Sequence, residues 1–461
     1  MKRSKKSVKS VNSAATHTLE RGPEVRPEVH SVEDIQNVPA TKKFVTPAEN
    51  PSKKVINQLM RDRPDISEDY LYKCLIDHPK YIAKYKDIAS SEMHAAEHYF
   101  TYGHIEKREL PKPGLQKHPQ PFNIKSDTTL FLSSAELRDG SFIYRCLFQS
   151  LDYPQNLVYT GKTEILKLVR AVFNCKELIF SRPEKTDLAF YLIELAKNIG
   201  VKVTLDYDDL LLPEHAEYLG HVRSSDGLTI EEARKSLINK SAFLLYADAF
   251  HCSTPVIAKA LGNLGKPVKV VKNRIMRTMV AAEDVCISRL KDIETRKLKI
   301  LYLSGTATHK KDFSIIQGAI VKLAQEFPDK FEITLLGNTG SNVQPIAMYN
   351  NSVHVIPRLT LNEMYKVIAQ HDLALAPLEN TIFNSAKSNI KFIECGSQGV
   401  PIIASPLNEF NDVIDNNENG WLCETQSDWY ERLKALMIDP APLRKVSLEA
   451  RNCVINNFTV G

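Results

Sequence analysis

The chain has 461 residues, 43% hydrophobic and 25% charged, a globular composition long enough for two or three domains with buried cores. Its 60 Lys/Arg against 55 Asp/Glu leave a net charge of +5; residues 1–55 hold 11 against 6, so the remainder balances at 49 of each sign. A folded surface that binds a nucleic-acid backbone carries a broader basic excess, no apolar run approaches the ~18–20 residues of a membrane span, and the eight scattered cysteines lack a CxxC pair and fit free thiols in a reducing, cytoplasmic setting.

Residues 1–55 are rich in Lys, Ser, Pro and Glu and poor in aromatics, the composition of a disordered tail. The basic start, Met1–Lys9, has no apolar stretch behind it and does not read as a secretory signal. Lys2, Arg3, Lys5, Lys6 and Lys9 offer peripheral contact to anionic lipid at the inner face of the cell membrane; the alternative is a solvated tail. In residues 56–111 apolar and aromatic positions such as Leu71, Leu75, Tyr81, Tyr85, Tyr99 and Phe100 recur at helical spacing, which predicts a module of two to four short helices. His78, His94, His98 and His104 lie within it. No carboxylate or thiol set completes a metal site, so they are expected on helix surfaces.

Pro and Lys cluster in a linker over 112–128, and strands then alternate with helices. In a first lobe, 129–295, strands are expected at Thr129–Ser133, Asn156–Tyr159, Glu177–Ser181, Val201–Asp206, Phe250–Ser253 and Val268–Lys272, with helices over Thr186–Ile199 and Glu231–Tyr246. In a second lobe, 296–461, the strands are Ile300–Leu303, Phe331–Leu336, Val353–Ile356, Leu373–Ala376 and Pro401–Ala404, with a helix from Asp312 and a capping box at Thr360–Glu363. The fold class is therefore α/β, two Rossmann-like parallel-sheet domains with a ligand in the cleft between them. Neither lobe has a G-x-G-x-x-G turn or a Walker loop, and no HExxH or G-x-S-x-G is present, which removes the main support for dinucleotide, P-loop, zinc-protease and serine-hydrolase chemistry.

The run Lys387-Ser388-Asn389-Ile390-Lys391-Phe392-Ile393-Glu394 opens a helix that Gly399 ends, with Lys391 and Glu394 on one face. A helix N-terminus binds phosphate through its free N–H groups, lysines add charge, and a carboxylate accepts from ribose hydroxyls: together, a nucleotide-diphosphate cradle. At the end of the second lobe's first strand, Gly305 allows close backbone approach, and Lys310 or Lys311 is placed to meet a diphosphate. In the first lobe, Gly140 and Ser141 form a loop towards the cleft and Arg145 follows, aimed at phosphate or acceptor. Asp206, Asp208 and Asp209 end a strand, either as carboxylates for metal or base chemistry or as helix-capping groups.

The donor run, with Gly399-Val400-Pro401-Ile402-Ile403-Ala404-Ser405 and Asn419-Gly420-Trp421-Leu422, resembles the donor-binding segment of family-4 glycosyltransferases of the GT-B fold, in particular a bacterial surface-polysaccharide subgroup with a Lys-Ser-Asn-Ile-Lys-Phe-Ile-Glu-like segment. The helical module resembles a small repeat appended to such enzymes. The resemblance implies a nucleotide-sugar-dependent transferase of the hexosyltransferase type, retaining, acting on a glycan, lipid-linked or protein acceptor without a metal or other cofactor. It gives Glu394 to ribose, Arg358 to the nucleotide base, Lys310 or Lys311 to the leaving diphosphate, Lys387, Ser388 and Asn389 to sugar and phosphates, and Asp206, Asp208 and Asp209 to the cleft. Two departures stand out: Ala386 replaces the family's other glutamate, eight positions before Glu394, and Thr306 replaces a common arginine. They motivate the alternative of an inactive transferase-like binding or scaffold protein. Members also continue past the segment matching Phe458–Gly461 into a helix that crosses to the first lobe.

Overall fold

The computed structural model describes residues 53–91, 93–114, 127–219, 222, 227–304, 310–337 and 343–461. The expected basic tail up to residue 52, most of the expected linker, Gly305 and Thr306 lie outside the described residues.

Six buried or half-buried runs rich in Val, Leu, Ile and Phe form the first sheet: β1 Thr129–Ser133, β2 Asn156–Thr160, β3 Glu177–Ser181, β4 Lys202–Tyr207, β5 Ala249–Cys252 and β6 Val268–Val270, ordered β2-β1-β3-β4-β5-β6. Every pairing is parallel, with Ser133 beside Ser181 and Ser181 beside Asp206 at the C-terminal ends. Because β1 connects to β2 in one direction and β3 onwards runs in the other, right-handed crossovers put the segment 140–150 on one face and the later helices on the opposite face. That opposite face, Leu130, Leu132, Leu178, Phe180, Val203 and Leu205, packs under helices Ile165–Phe173 and Asp187–Asn198 in one apolar core that extends into the helical module. The helix expected over Glu231–Tyr246 stops earlier, as Ile230–Lys240, followed by a short 3-10 turn at Leu244–Tyr246.

After the two-residue strand β7, Ile275–Met276, comes the second sheet: β8 Leu298–Leu303, β9 Phe331–Leu336, β10 Val353–Ile356, β11 Leu373–Ala376, β12 Ile402–Ala404 and β13 Trp421–Leu422. Its order is β10-β9-β8-β11-β12-β13, again all parallel. The chain thus forms two Rossmann-like lobes of a GT-B fold. β14, Thr459–Val460, pairs in parallel with β7, so the last described residues clip onto the connection between the lobes.

The module contains helices Lys54–Asp62, Glu68–Leu75, His78–Lys84, Lys86–Ala89 and Ala95–His98, the last running into a wide π turn at Tyr99–Gly103. Three of its histidines, expected on helix surfaces, instead hold the module together. His78 and His94 stack at 4.3 Å between ring centroids, each accepting from a backbone N–H that opens the Ala95–His98 turn. His98 is buried at 2.9 Å from the Tyr81 hydroxyl. No helix among the described residues is long and apolar enough to cross a membrane.

Candidate functional site

In the second sheet the strand order reverses between β8 and β11, and ligands of open α/β sheets bind outside the strand ends at such a reversal. The chain leaving β11 runs through a short helix, Ile382–Ser385, into helix Ile390–Ser397. Buried Asp312, on helix Lys310–Glu326, pins this stretch by accepting from the Glu379 N–H and from Asn384 Nδ2, both at 2.9 Å. Gly337, at φ +101°, ends β9 so close to β8 that a Cβ there would lie 1.7 Å from the Ser304 carbonyl oxygen. Helix Ile390–Ser397 begins at Asn389 with no side-chain cap, leaving its first N–H groups without a side-chain acceptor. Gly399, at φ +62°, ends it as expected; a Cβ would sit 2.5 Å from Cys286 Sγ.

Glu394 is buried on this helix, and the first lobe closes over it. The Tyr144 hydroxyl donates to Glu394 Oε1 at 2.7 Å, with the Tyr365 hydroxyl 3.4 Å from the same phenol oxygen. Burial pushes the Glu394 carboxyl up to about 7, against the opposing pull of the Tyr144 hydrogen bond and the Lys391 charge. Lys391 has a buried Nζ with no hydrogen-bond partner among the described residues, 5.7 Å from the Tyr302 ring centroid. Burial pushes this ammonium down to about 8, with Asp312 the strongest opposing charge. Asn389 Nδ2 is likewise buried and unpaired among the described residues. Lys387 is half-buried, its Nζ 5.2 Å from the Phe383 ring centroid.

The donor segment also ties the lobes together. Ser388 Oγ accepts from Asn273 Nδ2 at 2.9 Å, and the Ala386 carbonyl accepts from Thr254 Oγ1 at 2.9 Å. Arg358 follows β10, exposed, and reaches Asp139 of the first lobe at 3.1 Å. Lys311 is exposed on helix Lys310–Glu326, and Lys310 is its first residue. The expected residues Lys387, Ser388, Asn389, Lys391 and Glu394 thus come together, and Arg358 stands at the lobe boundary.

The first-lobe carboxylates require a correction. Arg145 and Asp206, expected to act on substrate, form a bidentate pair with side chains only 1% and 2% exposed. The guanidinium also donates to the Val271 carbonyl at 2.6 Å and to Asn273 Oδ1 at 3.0 Å. Since Asn273 in turn donates to Ser388, the chain Asp206–Arg145–Asn273–Ser388 is a polar strut from the first sheet to the donor segment. The Arg145 guanidinium and the Asp206 carboxylate are thus buried and engaged with protein, while Ser388 Oγ enters the strut only as an acceptor. Asp208 and Asp209 are both clamped by Arg182, whose own backbone is left-handed at φ 45°. Burial alone would raise the Asp208 carboxyl, but Arg182 and Arg145 override it and hold it below its usual value. No cluster of metal-ligating side chains occurs among the described residues. Gly140 and Ser141 open the segment 140–150, whose middle, Ile143–Leu147, is a π turn. From that turn Tyr144 meets the second lobe while Arg145 goes under the first sheet. Such turns favour functional positions and carry no sequence signature. Tyr144, Asp312 and Arg182 are the residues that sequence reasoning missed; only an acidic residue at the start of a helix hinted at Asp312.

Residues 297–439 match the family described as glycosyl transferases group 1. The match spans the second lobe from β8 to beyond β13 and includes the whole donor segment. No curated protein matches the chain. Among solved structures, Anabaena HepE in complex with UDP is 13% identical with a TM-score of 0.50, covering 72% of this chain and 96% of its own. The same protein with UDP-glucose is 14% identical with a TM-score of 0.50, covering 72% and 95%. Sucrose-phosphate synthase from Thermosynechococcus elongatus is 14% identical, also at 0.50, covering 72% and 95%. At these identities the likeness is one of fold.

Proposed function

We propose that this protein is a nucleotide-sugar-dependent glycosyltransferase of the hexosyltransferase type that acts with retention on a glycan or related acceptor. The observation that carries the reading is the buried Lys391 ammonium, without a hydrogen-bond partner among the described residues, on the Glu394 helix in the lobe that matches glycosyl transferases group 1. A buried cation without a partner is costly; an anionic ligand would satisfy it. Glu394 would accept from the ribose hydroxyls, and Arg358 would lie against the base. Lys387, Ser388, Asn389 and Lys391, with Lys310 or Lys311 from the start of helix Lys310–Glu326, would surround the diphosphate and the sugar. As the bond from the anomeric carbon to the leaving phosphate breaks, negative charge gathers on the diphosphate, where fixed cations and helix N–H groups stabilise the transition state. The acceptor hydroxyl oxygen forms the new bond to the anomeric carbon and its proton passes to the departing diphosphate oxygen. The acceptor would enter by Gly140, Ser141, Asp208 and Asp209, with no metal assigned to the step. Arg145 and Asp206 become positioning residues that brace the donor segment.

A nucleotide-sugar donor fits a cytoplasmic reaction, and the basic composition of residues 1–55 fits contact with the inner membrane face. Ala386 keeps a second reading in play, a transferase-like binding protein, because its buried position holds no carboxylate for the sugar hydroxyls. Thermal shift and hydrolysis with a panel of nucleotide sugars separate the two. A shift with hydrolysis supports the enzyme, and a shift without turnover on any acceptor supports the binding protein. No shift with any nucleotide removes the enzyme and favours a scaffold.

A further inference from the structure

A second cavity, of about 490 Å³, lies between the helical module and the first lobe, and it shares no residue with the donor site. Its volume falls within the usual range of ligand pockets. Two pairs of aromatic rings line it: Tyr81 and Tyr85 from the module, 4.9 Å apart, and Phe190 and Tyr246 from the lobe, 6.0 Å apart. Two ion pairs at its rim, Asp77–Lys80 and Glu109–Lys84, cancel each other's charge. That leaves Asp187 and Glu194 as carboxylates of the lining, with the Lys112 charge acting on Glu194. Glu194 is half-buried, and burial raises its carboxyl. Tyr191, also in the lining, is 1% exposed, and its hydroxyl has no partner among the described residues.

Tyr81 is buried, and the Arg108 guanidinium lies 4.7 Å from the Tyr85 ring centroid. The half-buried rings of Phe190 and Tyr246 are thus the aromatic surface left in the lining, and with carboxylates beside them and no net cationic excess they suit one ligand chemistry best. A pyranose ring offers apolar C–H faces to stack on aromatics and hydroxyls to donate to carboxylates. A nucleotide or other polyanion would want unpaired cations, whereas the lining lysines each face a carboxylate: Lys80 faces Asp77, Lys84 faces Glu109 and Lys112 faces Glu194. We propose that this cavity is a second carbohydrate site, which holds a neutral oligosaccharide stretch of the acceptor glycan apart from the cleft. The identification of the sugar as acceptor rests on the transferase reading above; the binding site itself does not. Anchoring the glycan there would raise the effective concentration of its reactive end at the cleft, without a new contact to the donor.

The test uses the full chain on a glycan microarray carrying neutral and acidic oligosaccharides, with proline-rich peptides spotted alongside. Binding to one or more neutral oligosaccharides is expected, falling at least tenfold in Tyr246→Ala and in Glu194→Gln. The UDP thermal shift of both variants should stay that of the parent. Glu194→Gln, nearly the same shape, guards against a loss that is only misfolding of Tyr246→Ala. Binding to no oligosaccharide, glycan binding indifferent to both substitutions, or binding of the peptides alone overturns the proposal. If UDP still shifts the melting temperature in that case, the donor reading survives without this site. Glycan binding lost in the variants of a protein that ignores UDP would leave the site standing alone.

Discussion

Replacing Tyr144 by Phe removes one oxygen and tests how the cleft opens. The lost group donates to Glu394 Oε1 at 2.7 Å in a site where Glu394 is 8% exposed, so no water readily takes its place. A hydrogen bond to a charged group contributes ~1.5–3 kcal/mol. In the proposed complex the ribose hydroxyls occupy the carboxylate, so Tyr144 must let go before nucleotide can bind. The variant's free state would then lose that bond while its bound state loses nothing. Divided by ~1.4 kcal/mol per tenfold, the difference predicts UDP binding tightened by about tenfold to a hundredfold. Titration calorimetry reads it at pH 8.5, where the carboxyl, raised to about 7 in the parent, is largely ionised. The unliganded variant should also melt below the parent. An unchanged affinity despite a lowered melting temperature would refute the competition, since ribose and phenol would then not share the carboxylate. A weakened affinity would mean that Tyr144 itself holds the nucleotide.

Three further outcomes follow from the same site. Ribose donors favour the ionised carboxylate, so UDP binding should strengthen as pH rises from 6 to 7, below the range where Lys391, pushed down to about 8, loses its charge; about one tenth of the free protein has Glu394 ionised at pH 6 and about half at pH 7, an affinity gain of about fivefold that Glu394→Gln should abolish in parallel titrations. Lys391→Met removes a buried ammonium with no hydrogen-bond partner among the described residues, so the unliganded protein should melt higher while UDP affinity falls tenfold or more; a variant that melts lower and binds UDP normally would show that the ammonium serves the fold. Arg145→Leu leaves Asp206 as an uncompensated buried charge and should cost about 3–5 kcal/mol by denaturant unfolding, with the Arg145→Leu/Asp206→Leu pair recovering most of it; a single variant as stable as the parent but inactive would restore a direct catalytic role.

What the sequence made legible follows the range over which each feature is decided. Thr129–Ser133, Glu177–Ser181, Phe331–Leu336 and Leu373–Ala376 are short apolar runs bounded by polar turns, and strands form over those residues because a parallel sheet buried on both faces needs such runs. The capping box at Thr360 and the helix end at Gly399 are equally local, and both form. β7 and β14 went unforeseen because two residues apiece carry no periodicity, and their pairing joins positions far apart in the chain. The same distance hid the chemistry of the cleft. Asp206, Asp208 and Asp209 read as a catalytic cluster until the arginines that neutralise them come into place, Arg145 and Arg182 from other segments of the first lobe. Tyr144 stands next to Arg145 in the sequence, and only the π turn between Ile143 and Leu147 sends the two in different directions. One then braces the first sheet and the other reaches Glu394, 250 positions away. Residue type therefore announced where charge would gather in both lobes. Which charges are already spoken for, and which one in the donor segment is left without a partner among the described residues, is set by packing between segments that no local pattern connects.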